Sequence, residues 1–125
     1  MTHFRFSKSA RLLKSAEFDR VFRARCTASD RLIVVYAARN EYSHPRLGLT
    51  VSRKLGNAVV RNRWKRSLRE AFRLVQHELP AGLDIVVLPQ PRARPQVRPL
   101  QASLKSLTAR LIDKLPFAES QGSTK

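Results

Sequence analysis

Residues 53–73 carry eight cations, Arg53, Lys54, Arg61, Arg63, Lys65, Arg66, Arg69 and Arg73, and one acid, Glu70. Cations of this density bind anions. Guanidinium groups suit phosphate in particular, because their planar fork meets two oxygens at once and also stacks on bases. Groups that would break bonds are dispersed. The nine acids are scattered along the chain, and His3, His44 and His77 lie far apart with no ligand spacing. Cys26 is the single cysteine and has no base partner in sequence. A metal-dependent nuclease needs carboxylates or histidines gathered around its ions. The sequence therefore nominates no catalytic residue and no metal ligand in this chain, and points instead to binding.

What must position those cations is a helix. Asn57 is a candidate N-cap, Ala58 to about Glu78 has helical periodicity, and Pro80-Ala81-Gly82 stops it. At about 100° per residue, Val60, Trp64, Leu68, Ala71, Phe72, Val75 and Leu79 share one arc of about 120°. Asn62, Lys65, Arg66, Arg69 and Arg73 occupy the opposite side, with Arg61 and Arg63 flanking the apolar arc. From Arg61 to Arg73 the axis runs about 18 Å, enough to meet several phosphates at about 3.4 Å per charge along a strand. A solvated helix face normally mixes signs in i,i+4 pairs. Here Arg61/Lys65, Lys65/Arg69 and Arg69/Arg73 repel, each by about a few tenths of a kcal/mol. A polyanion relieves that repulsion.

Composition agrees. The chain has 125 residues and a mass of 14.3 kDa, so one domain is expected. Its 25 Lys and Arg, 18 of them Arg, against 9 Asp and Glu give a net charge of +16 and a pI near 11.6. A lone cysteine excludes a disulfide scaffold. The longest wholly apolar run, Leu32–Ala38, is far below the roughly 18 residues a membrane span needs. Met1-Thr2-His3-Phe4-Arg5-Phe6 is not followed by a secretory h-region. The expectation is a cytoplasmic location with no membrane partner.

The remaining elements read as follows. Residues 1–14 form a basic N-terminal arm, residues 15–115 the domain and residues 116–125 a flexible tail. Ser15 is a candidate N-cap for a helix over Ala16–Arg25, with Glu17 and Asp19 in its first turn and Phe18, Val21 and Phe22 on one stripe. Leu32–Ala38 reads as a buried strand, Asn40–Pro45 as a turn and Leu47–Ser52 as a half-buried strand. These two strands are expected to pair antiparallel across the turn. Asp84–Leu88 reads as a third, central strand. Pro89–Pro99, with four prolines and three arginines, reads as a loop, and Leu100–Leu115 as a last helix. The order α-β-β-α-β-α predicts a single small α+β domain, helices packed on one sheet.

The run Arg61-Asn62-Arg63-Trp64-Lys65-Arg66-Ser67-Leu68-Arg69-Glu70-Ala71-Phe72 resembles the Arg-Asn-Arg signature of the bacterial ribonuclease P protein family. Arg11-Leu12, Glu17-Phe18 and Val21-Phe22 are similar to the family's N-terminal segment, and Leu47–Val59 to the strand and loop leading into the motif. The resemblance spans about residues 9–90. It implies a fold of the ribosomal S5 domain 2-like kind with a left-handed βαβ crossover around the motif helix, against the usual right-handed preference. It also implies a role as accessory subunit of an endoribonuclease that removes the 5′ leader from precursor tRNA. Catalysis and magnesium ions would reside mainly in the RNA subunit, with no cofactor in this chain and one protein per RNA. Carried over by position, Arg53, Lys54, Arg61, Asn62, Arg63, Lys65, Arg66 and Arg69 would face the ribonuclease P RNA. Phe18, Phe22 and Tyr36 would line the cleft for the precursor's single-stranded leader. A single-strand groove does want cations beside aromatic platforms, although periodicity by itself reads Phe18 and Phe22 as core. Trp64 stands where relatives commonly have an aliphatic residue.

The alternative is a structural RNA-binding protein of ribosomal type, which would need no leader cleft. A sequence-specific DNA reader would show two helices joined by a short turn, or zinc ligands. A membrane-surface helix would need its apolar face free.

Overall fold

The structure is a computed structural model in which residues 10–115 are described. Residues 1–9 of the expected arm and the expected tail, residues 116–125, lie outside the described residues. The chain runs α1 (Ser15–Arg23), β1 (Cys26–Ser29), β2 (Ile33–Arg39), β3 (Arg46–Leu49), a 3-10 turn (Arg53–Leu55), α2 (Ala58–Val75), a second 3-10 turn (Gln76–Glu78), β4 (Leu83–Pro89) and α3 (Val97–Lys114). It is a small α+β domain with one four-stranded sheet and three helices.

The strand order is β1-β2-β4-β3. β4 lies antiparallel to β2 and parallel to β3, so β3, α2 and β4 form a βαβ unit. The expected antiparallel pairing of β2 with β3 does not occur. β4 is buried at every position but Leu88 and takes the central place between them. A strand buried on both faces gains most by having both edges paired, and that outweighs the local turn at Asn40–Pro45. The short strand β1, Cys-Thr-Ala-Ser, was not foreseen. It pairs antiparallel with β2.

The two sheet faces have separate cores. Ile33, Val35, Ala37, Ile85 and Val87 point to the face covered by α2 and α3, where Trp64, Leu68, Phe72, Leu100, Leu104 and Leu111 are buried. Trp64 thus sits in the apolar arc, as the wheel requires. Val86 points to the other face, where Val21, Phe18 and Phe22 of α1 pack with Tyr36. Residues of the arm also pack: Arg11 bridges Leu47, the Leu12 N–H donates to the Leu47 carbonyl at 2.9 Å, and Ala10 and Leu12 are buried. This covers part of the outer edge of β3.

Helix ends show their chemistry. The Asn57 side chain accepts from the Val60 N–H at 3.0 Å, capping α2 as expected. At α1 the N-cap is Lys14, not Ser15. Glu17, three residues into the helix, accepts the Leu13 and Lys14 N–H groups at 2.9 and 3.1 Å. A carboxylate at that third helical position reaches back to the N-cap N–H, the half of a capping box that the N3 side chain supplies. Those backbone bonds, with a further contribution from Arg46, hold the Glu17 carboxyl below its ordinary pKa. α3 begins at Val97, inside the stretch expected to be loop.

Candidate nucleic-acid interface

The site grows from α2. Its apolar arc is anchored in the main core, so the opposite face is turned outward. Asn62, Arg63, Arg66 and Arg69 are exposed, and Lys65 is partly so. Glu70, the one acid in the run, is taken by Arg73 through two hydrogen bonds of 2.9 and 2.7 Å. The Arg73 bonds hold Glu70 below its ordinary pKa, so it stays ionised and engaged. No ion pair forms to Lys65, Arg66 or Arg69 among the described residues. Arg61 is more constrained than the wheel implies, since its Nε donates to the Gly56 carbonyl at 3.3 Å. Arg53 and Lys54 are exposed on the 3-10 turn just before the helix. All eight positions expected to face RNA therefore lie on α2 or on the turn that leads into it.

The aromatic positions are gathered on the α1 face of the sheet. Phe22 and Tyr36 meet edge to face, centroids 5.0 Å apart. Phe18 lies over Gly48, where an added Cβ would come within 2.8 Å of its ring. All three rings are partly buried, so they pack in the second core and still offer an edge to solvent.

Two recesses adjoin the ridge, and the second also reaches Phe18. One, of about 710 Å³, runs along α2 past Asn62, Lys65, Arg66, Arg69 and Arg73 to Val97. The other, of about 210 Å³, lies between the arm, α1 and β3 and includes Leu12, Leu13 and Phe18. Arg11, Lys65 and Arg69 line both. Arg11 was not among the expected site residues; only its place in a basic arm hinted at it.

A network behind the rings also escaped sequence reasoning. Asp84 is fully buried and receives Arg46 Nε and Nη2 at 2.8 and 2.7 Å, Asn40 Nδ2 at 2.6 Å, and a charged hydrogen bond from Arg20. Arg46 reaches Glu17 at 3.1 Å and lies 4.5 Å from the centroid of the Tyr42 ring. The Asp84 hydrogen bonds raise the Arg46 pKa further, so its charge is permanent. The network ties α1 to β3 and β4, which fixes where Phe18 and Phe22 stand.

Among the described residues, no three His, Cys, Asp or Glu side chains gather as a metal site, and no helix is long and apolar enough to cross a membrane. Fold and surface together define a small cationic α+β domain able to hold a polyanion along a helix and rest a flexible strand on aromatic edges. The model of the family described as Ribonuclease P matches residues 6–112, and the chain belongs to the ribonuclease P protein family. It is 42% identical over 85 residues to the ribonuclease P protein component of Brevibacillus brevis, covering 67% of this chain and 68% of the relative. Among solved structures it is similar to the ribonuclease P protein of Staphylococcus aureus, with a TM-score of 0.71, 36% identity, and 82% of this chain and 95% of the other covered. It is also similar to that of Thermotoga maritima, with a TM-score of 0.70, 32% identity, and 80% and 96% covered.

If Arg53, Lys54, Arg63, Lys65, Arg66 and Arg69 each neutralise one phosphate, the ridge alone gives log K against log salt a slope of about −4, at about 0.7 per contact. Filter binding or calorimetry across a salt series checks this, and a flat response would contradict it.

Proposed function

We propose that this chain is the protein component of the ribonuclease P ribonucleoprotein. It binds the RNA subunit through the α2 ridge and holds the 5′ leader of precursor tRNA against Phe18, Phe22 and Tyr36, supporting endonucleolytic release of the leader. The carrying observation is the α2 face, whose one acid is consumed by Arg73 while Lys65, Arg66 and Arg69 have no acidic partner. Family membership supports the assignment to tRNA 5′ maturation. In this reading the reacting centre and the magnesium ions belong mainly to the RNA, one protein serves one RNA, and the particle works in the cytoplasm. The protein contributes charge and shape. Its cations offset repulsion between two RNA backbones, and its rings accept bases of a single strand without demanding a sequence.

The test is precursor-tRNA cleavage at low magnesium, with RNA subunit alone, protein alone and both together. Activity only or mainly in the mixture is expected. Cleavage by the protein alone would place the chemistry in this chain. Tight RNA binding without any effect on cleavage would favour the structural RNA-binding alternative.

A further inference from the structure

The segment between β4 and α3 is a stretch of proline and arginine that neither the ridge nor the aromatic recess uses. It is pinned at successive points. The Gln90 N–H donates to the Leu32 carbonyl at 2.9 Å, and the Gln90 side-chain amide to the Asp30 carbonyl at 3.0 Å. The Ala93 N–H closes a turn onto the Gln90 carbonyl at 3.1 Å, with Pro91 at the position where its fixed φ favours a turn. Ala93 and Val97 pack against the main core. The Ser67 hydroxyl of α2 donates to the Pro95 carbonyl at 3.4 Å, drawing the segment against α2 itself. Along this stretch Arg92 and Arg94, and just after it Arg98, are exposed, and none of them has an ion-pair or hydrogen-bond partner among the described residues. Arg98 stands in the first turn of α3, where the helix dipole disfavours a cation and no acid or side-chain cap offsets it.

This placement has a consequence for the α2 groove. Val97 lines it together with Asn62, Arg66 and Arg73. The groove thus reaches Val97 at the end of the pinned segment, and the segment continues from that rim, held beside Ser67. A segment held by its backbone and by prolines loses little freedom when its arginines meet a ligand, so its contacts are pre-organised.

Resting on the proposed function, we infer that Arg92, Arg94 and Arg98 form a second phosphate-binding wall for the RNA subunit, extending the basic surface of the α2 ridge beyond the Val97 rim of the groove. The occupant is the sugar-phosphate backbone of that RNA. The wall offers charge without an aromatic platform, which suits a backbone and not an unpaired base.

The experiment compares the full chain with the triple variant Arg92→Ala/Arg94→Ala/Arg98→Ala in binding the RNA subunit from 50 to 200 mM salt. Three lost contacts should make the slope shallower by about 2, from about −6 to about −4, at about 0.7 per contact. The ratio of wild-type to variant affinity should then shrink about 16-fold across the series. A charge-matched control, Arg23→Ala/Arg31→Ala/Lys114→Ala, should change the slope by less than about 1. A triple variant that keeps the wild-type slope, or a control that matches its loss, overturns the inference and leaves the ridge reading intact. A flat wild-type response defeats the ridge reading itself. Capture of precursor tRNA by the assembled holoenzyme is measured separately. A loss confined to that step overturns the inference by giving the wall to the substrate.

Discussion

Replacing Asp84 with alanine should lower the free energy of unfolding by about 3–5 kcal/mol, the usual result of stranding a buried charge. The Arg46 side chain is 10% exposed and would keep its charge with only Glu17 left as an acid partner. Arg20 is 42% exposed on the same measure and can turn to water, so the loss comes mainly from Arg46 and Asn40. For a domain with about 5–15 kcal/mol of stability, that is a large fraction. Urea unfolding followed by circular dichroism checks it. A loss under about 1 kcal/mol would mean that the network is not a structural tie. Replacing Asp84 and Arg46 together with apolar residues of similar volume should recover most of the loss, because such exchanges are often near neutral. Arg20 and Glu17 both belong to α1, so the single variant should also loosen the seat of Phe18 and Phe22.

Gly48→Val should uncouple the two surfaces. The backbone at Gly48 gives no reason for glycine; the space does. Even a bare Cβ would come 2.8 Å from Phe18 Cε2 and Cζ and 3.1 Å from Leu12 Cβ. A valine forces Phe18 off the sheet, at a cost of about 1–3 kcal/mol for overpacking. The expected functional result is a loss of leader-dependent affinity for precursor tRNA of about tenfold, on the scale of about 1–3 kcal/mol per stacked base. Affinity for the RNA subunit should fall much less, since the apolar arc of α2 packs on the opposite face of the sheet and only Lys65 and Arg69 of the ridge share a recess with Phe18. Equal losses in both measurements would show that Phe18 matters only as core.

What was legible in the sequence is what repeats locally. The α2 wheel, its Asn57 cap and the outward cations follow from a period and a cap residue, and the structure keeps all three. Phe18, Phe22 and Tyr36 needed the family resemblance, because half-buried rings have the same periodicity as core. Strand pairing was misread because Asn40–Pro45 has turn chemistry, while β4 lies far along the chain and exerts its claim only in three dimensions. β1 offers four small or polar residues with no apolar alternation, so nothing marked it. The links of Asp84 to Arg20, Asn40 and Arg46 join three separate parts of the chain and leave no spacing to read. The same holds for Ser67 and Pro95. A wheel shows that Ser67 faces away from the ridge, but not what lies beside it.

The strand order also sets a timetable. Because β4 sits between β2 and β3, those two strands stay unjoined until residue 83 and beyond have been made: Ile33 waits for Pro89, and Arg46 for Asp84. Long separations of this kind carry a large loop-closure cost and slow the search for the native state. During synthesis the cationic helix leaves the ribosome before the strand that completes its sheet. For that interval the chain is a positively charged, half-assembled polymer in a setting full of RNA. The nascent chain thus meets polyanions before its own fold can close.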